Sequence, residues 1–129
     1  MQARSPLPLK TIVIVEDDEP LRHLLQAALM ARGYGTLGLP DGASLLESLP
    51  AETACVVLDV FLPGEGGLDV LTLLRTKAPD VPVLVISGLS TIPLAVDSMR
   101  RGAVDFLEKP FSATTFLDRI DLKGSVSNH

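Results

Sequence analysis

Three carboxylates, a hydroxyl and an ammonium stand where short apolar runs of this chain end. Glu16 and Asp17 follow TIVIV, Asp59 follows ACVVL, Ser87 follows VPVLVI, and Lys109 lies in DFLEKP. Two carboxylates brought close together repel, and a bound divalent cation relieves that repulsion. Mg²⁺ suits an all-oxygen site that keeps several waters and takes one or two carboxylates plus phosphate. Ser87 and Lys109 could then hold phosphoryl oxygens, with Asp59 as the acceptor. These groups meet only if the runs are neighbouring parallel strands. The carboxyl ends of such strands share one edge, where α/β folds bind ligands.

The surrounding pattern supplies those strands. Thr11 to Val15 is an almost continuous β-branched run, the mark of a strand buried on both faces. Glu19-Pro20 opens a helix with an apolar stripe of Leu21, Leu24, Leu25, Ala28 and Leu29, and Gly33 ends it. Further strands are predicted over 34–39, 54–58, 81–87 and 104–108. Helices lie between them, one carrying Leu45, Leu46 and Leu49, the next Leu68, Leu71 and Leu74. In the fourth helix Ile92, Ala95, Val96 and Met99 are expected to face inward. Phe116, Leu117 and Ile120 do so in the last, with Asp118, Arg119 and Asp121 outside. Five βα units in succession imply a parallel sheet with helices on both faces. Residues 10–123 form one domain in this reading. Residues 1–9 are a flexible N-terminal segment, and 124–129 a polar tail or the start of a linker.

Bulk properties narrow the function. A chain of 129 residues, 47% hydrophobic and 21% charged, has the balance of one globular domain. Its net charge of −5 argues against a grip on nucleic acid, which needs a basic face. The single cysteine, Cys55, lies in an apolar run and suits a reducing compartment. The first residues lack a signal-peptide core, and no run approaches the ~18–20 apolar residues that span a bilayer. A cytoplasmic location is expected.

Each candidate also has a plain structural reading. Helix capping explains Asp18 and Glu19 well, but Glu16 and Asp17 poorly, since they still sit at the strand's end. Asp59 follows four apolar residues, where a carboxylate is costly unless paired or coordinated. Ser87 alone reads as a serine starting a loop, with Gly88 beside it allowing close backbone approach. Lys109 alone reads as a solvated lysine. Its bond to Pro110 is a candidate cis peptide that would aim it over the pocket. The strength lies in the combination, each group ending the correct strand in the correct order.

These residues resemble the receiver domain of two-component response regulators over about 10–123. The matching segments are IVEDDEPLR, LDVFLPGEGGLDVL, PVLVISG and GAVDFLEKPF, the last being similar to the FixJ-like subgroup. The resemblance implies a flavodoxin-like (βα)5 sandwich with strand order 2-1-3-4-5. It implies Asp59 as phosphoacceptor from a sensor histidine kinase. Asp17 would ligate Mg²⁺ directly, Glu16 through water, and the Phe61 carbonyl would be a further ligand. Ser87 and Lys109 would bind the phosphoryl group, and Phe106 would be the aromatic switch residue. In relatives the face of the fourth helix, fifth strand and fifth helix often pairs two receivers. Here it offers Met99, Arg100, Arg101, Asp105 and Asp118 for reciprocal ion pairs. Phe61 and Leu89, apolar beside the path of a hydrolytic water, imply slow autodephosphorylation.

Three other readings share parts of this pattern. A haloacid-dehalogenase-type phosphatase also uses an aspartate and Mg²⁺, but needs a D-x-D motif after its first strand, absent here. A degenerate receiver acting as a non-phosphorylated interaction module lacks an acid or the lysine, and here all are present. A flavodoxin-like flavin binder needs a phosphate-cradling loop where this chain has acids. No turnover of an external substrate, no membrane contact and no nucleic-acid contact are expected of this segment. By analogy with the FixJ-like subgroup, a helix-turn-helix output would lie beyond residue 129 and make the whole a transcriptional regulator.

Overall fold

A computed structural model describes residues 10–61, 66–89 and 91–127. The N-terminal segment 1–9 and residues 62–65 of the LDVFLPGEGGLDVL segment lie outside the described residues, as do the last two of the tail. Elements alternate without exception: β1 (Thr11–Val15), α1 (Glu19–Ala31), β2 (Gly35–Leu39), α2 (Gly42–Glu47), β3 (Thr53–Asp59), α3 (Gly67–Lys77), β4 (Val83–Ser87), α4 (Ile92–Arg100), β5 (Asp105–Glu108) and α5 (Ala113–Ser127). The five strands form one parallel sheet in the order β2-β1-β3-β4-β5.

Period-two alternation sorts the strand residues into two cores. Val13, Val15, Val56, Leu58, Val83 and Val85 pack on one face with Leu45, Val70, Leu71 and Leu74 of α2 and α3. Ile12, Ile14, Cys55, Val57, Leu84 and Ile86 pack on the other with Leu25, Leu29, Phe116 and Ile120 of α1 and α5. Burial of each large aliphatic side chain contributes about 1.5–3 kcal/mol. Burial also pushes the Cys55 thiol up to about 12.

Local chemistry sets the joints. Asp18 caps α1 by accepting from Leu21 N, Asp41 caps α2 through Ser44 N, and Thr91 caps α4 through Leu94 N. Gly33, just past α1, adopts φ +100°, a conformation open to glycine.

The fourth helix departs from the expected face. Ile92, Val96 and Met99 are exposed, whereas Ser98 is fully buried and Leu94 half-buried. The buried Ser98 is tolerated because its hydroxyl donates to Leu94 O at 2.8 Å within the same helix. The strongest apolar stripe therefore points outward. Asp121 also departs: it accepts from Tyr34 Oη at 2.6 Å and pairs with Arg32, tying α5 to the end of α1. The last helix continues to Ser127, into the residues read above as a polar tail or the start of a linker. One helical glycine costs only about 1 kcal/mol, and on the preceding turn Lys123 Nζ lies 3.4 Å from Asp105 Oδ2.

Candidate functional site

Sheet register brings the candidate groups together. Val15 pairs with Leu58, so Glu16 and Asp59 emerge side by side at the carboxyl edge. Asp59 pairs with Ile86, and Ser87 with Glu108. Ladder bonds continue one step beyond, from Glu16 N to Leu39 O, Val60 N to Ile86 O and Lys109 N to Ser87 O. The backbone thus holds Glu16, Asp59, Ser87 and Lys109 before any side chain acts.

At the centre Lys109 Nζ lies 3.0 Å from Asp59 Oδ2 and 2.8 Å from Glu16 Oε1. Glu16 and Asp59 are buried, at 0% and 2% exposure, while Asp17 is open to solvent. One carboxylate oxygen from each of the three acids falls within 4.8 Å of the others. Asp59 Oδ1 accepts from Phe61 N at 2.8 Å, and Glu16 Oε2 accepts from Asp18 N at 3.2 Å. Lys109-Pro110 is cis.

The electrostatics are those of a site short of positive charge. Burial pushes the Glu16 carboxyl up to about 7, with the Asp59 carboxylate adding and Lys109 opposing. Burial pulls the Lys109 ammonium down, but Glu16 and Asp59 together outweigh it and hold it above its usual value. Glu16 Oε1 has the Lys109 ammonium as its partner, so one ammonium serves two buried carboxylates. An all-oxygen donor set of three acids facing a single ammonium fits a hard divalent cation.

Ser87 occupies the predicted place, but its hydroxyl is turned into its own loop. It donates to Leu89 O at 2.9 Å and accepts from Leu89 N at 3.0 Å. Phe106 is half-buried against the core that contains Val85 and Ala103. Phe61 and Leu89 are 66% and 48% exposed, so both present apolar surface beside the acids and the hydroxyl. Two of the charges expected for reciprocal pairing are used inside the chain. Arg119 Nη1 bridges both oxygens of Asp105 at 2.9 Å. Arg101 reaches Asp97, Asp69, Thr72 Oγ1 and Leu68 O. Arg22, which the motif reading passed over, donates from Nη1 to Glu16 O at 2.8 Å. The contact depends on a long side chain reaching back from α1 to the end of β1, which no residue type or spacing signals.

The parallel α/β sheet thus gathers a buried aspartate, a lysine and two further acids at its carboxyl edge. Residues 12–121 match the profile described as the response regulator receiver domain, and the chain belongs to that family. It is 39% identical over 101 residues to the transcriptional regulatory protein FixJ of Bradyrhizobium diazoefficiens, covering 78% of this chain and 49% of that protein. The receiver domain of NtrX from Brucella abortus superposes with TM-score 0.78 at 32% identity, covering 88% of this chain and 98% of that one. A CheY-like receiver domain protein from Methanospirillum hungatei superposes with TM-score 0.86 at 22% identity, over 93% and 97% of the two chains, a likeness of fold. The chain spans about half the length of the FixJ relative. Receiver domains are phosphorylated by histidine kinases and generally use Mg²⁺. Among the described residues no helix is long and apolar enough to cross a membrane.

Proposed function

We propose that this chain accepts a phosphoryl group from a sensor histidine kinase onto Asp59 and converts it into a changed surface on α4, β5 and α5. The observation that carries the reading is the buried Asp59 carboxylate, 3.0 Å from Lys109 Nζ and within 4.8 Å of the Glu16 and Asp17 oxygens. Glu16, Asp17, Asp59 and the Phe61 carbonyl would hold Mg²⁺, which when bound neutralises charge on the transferred phosphoryl oxygens. An Asp59 oxygen forms the new P–O bond as the P–N bond to the donor imidazole breaks, and the imidazole nitrogen takes up a proton from solvent. Lys109 exchanges its carboxylate contact for a phosphoryl oxygen.

Ser87 then leaves Leu89 for the phosphoryl group, and the loop into α4 follows. Phe106 moves inward into the space this opens. Phosphorylation-linked pairing of two copies would use the apolar Ile92, Val96 and Met99, with Arg100 and Asp118 exposed at that face, since Arg101 and Asp105 are already engaged. The output is control of transcription through a domain outside this sequence. No external substrate is turned over, and the apolar Phe61 and Leu89 keep the acyl phosphate long-lived.

Intact mass after incubation with acetyl phosphate tests the reading. The expected result is one added phosphoryl group that requires Mg²⁺, vanishes in Asp59→Asn and decays slowly. No gain despite Mg²⁺ binding would leave a non-phosphorylated interaction module, and a half-life of seconds would sink the role given to Phe61 and Leu89.

A further inference from the structure

The acids of the site are not equally well held. Glu16 receives Asp18 N, and Asp59 receives Phe61 N and Lys109. Among the described residues no hydrogen bond holds the Asp17 carboxylate, so the backbone before it decides where it points. That backbone is residue Glu16, and it is fixed at its own N–H and its own carbonyl. Glu16 N donates to Leu39 O at 3.0 Å, and Glu16 O accepts from Arg22 Nη1 at 2.8 Å.

Arg22 is itself confined. Its side chain is 13% exposed, and Nη2 lies 3.8 Å from Glu19 Oε2. Its stem crosses β2 at Gly38, where an added Cβ would stand 3.1 Å from Arg22 Cδ and 2.5 Å from Gln26 Oε1. Gln26 is anchored in turn, donating from Nε2 to Thr36 Oγ1 at 3.1 Å. The glycine leaves room for two long side chains to lie flat over the strand.

We propose that Arg22 is a positioning residue for the divalent cation: by pinning the Glu16 carbonyl, in the gap left by Gly38, it orients Asp17 toward the ion. The assignment rests on the cation site proposed above. It runs against simple charge, because a guanidinium near the site repels a cation. Removing it for charge alone would tighten binding, whereas removing a positioning group weakens it. Loss of a group that orients a metal ligand commonly costs 10–100-fold in affinity.

Calorimetric titration with Mg²⁺ alone separates the two, using the wild type, Arg22→Ala, Arg22→Lys and Gly38→Val. Arg22→Ala is expected to raise the Mg²⁺ dissociation constant about tenfold, with part recovered in Arg22→Lys. Gly38→Val, which displaces the arginine without changing charge, should weaken binding in the same direction and keeps the test alive should Arg22→Ala not fold. The acetyl phosphate reaction should then need correspondingly more Mg²⁺ for half its maximal rate. Unchanged or tighter binding in the variants, with a normal wild type, would overturn the role of Arg22 alone. A wild type that does not bind Mg²⁺ would overturn the cation site and this inference together.

Discussion

Strand β3 and helix α4 are both rich in aliphatic residues, yet Cys55, Val56, Val57 and Leu58 are fully buried while Ile92 is 80% exposed. In β3 the apolar side chains fill both cores and hold Asp59 on a backbone paired on either side. In α4 the attachment is sparser: the half-buried Leu94 packs against the core, and the remaining ties named here are polar. Ser98 bonds within its own helix, and Arg101 just past the helix end reaches the first turns of α3. The outer face carries a shallow groove of about 410 Å³ lined by Ala95, Val96, Met99 and Arg100. A reactive group needs a fixed frame, and a segment that reports a change needs a low cost of moving. The same residue types serve both ends, depending on whether a second surface covers them.

Four measurements would break or sharpen this contrast. The largest effect is expected from Leu58→Ala, which should lose roughly 2–5 kcal/mol of stability in urea denaturation. Next is Lys109→Ala, which leaves the buried Glu16 and Asp59 carboxylates unpaired and should cost about 3 kcal/mol without metal. Added Mg²⁺ should recover part of that loss. If it recovers none, the acids do not form one cation site.

The third concerns pH. The Glu16 carboxyl is raised to about 7 in the fold, so between pH 4.5 and 7 the folded state holds a proton that the unfolded chain has released. Stability in EDTA should therefore fall as pH rises through that window, by no more than ~1.4 kcal/mol per pH unit. Glu16→Gln should flatten this component; a wild type that tracks the glutamine variant would contradict it. The smallest effect is expected from Met99→Ala, within about 0.5 kcal/mol of wild type. A loss matching that of Leu58→Ala would mean α4 is packed, and the contrast with β3 would fail.

The two regions were also unequally legible. A strand buried on both faces shows itself as an unbroken apolar run, so β3 and the acid that ends it could be read directly. The ends of parallel strands share an edge, so Glu16, Asp17, Asp59, Ser87 and Lys109 followed from strand order. Helical periodicity states which residues share a face, not which face meets the sheet, and α4 was turned around for that reason. The reach of Arg22 to Glu16 O, of Arg101 to Leu68 O and of Arg119 to Asp105 depends on long side chains crossing between elements. No spacing rule encodes those crossings. The rotamer of Ser87, turned to Leu89 rather than to Asp59, is a choice between two local bonding options that the residue type leaves open.

Cys55 gives the molecule a built-in clock. It sits in β3 opposite Ile12 of β1, fully buried, with a thiol that burial pushes up to about 12. A thiol reagent can reach it only when the sheet itself comes apart, so its labelling rate counts openings of the whole domain. A ligand that binds only the closed sheet slows that count in proportion to how fully it is bound. Because the sequence has one cysteine, the signal comes from a single known atom. The time a phosphoryl group or a metal ion adds to the life of the fold can thus be read without touching the site that holds them.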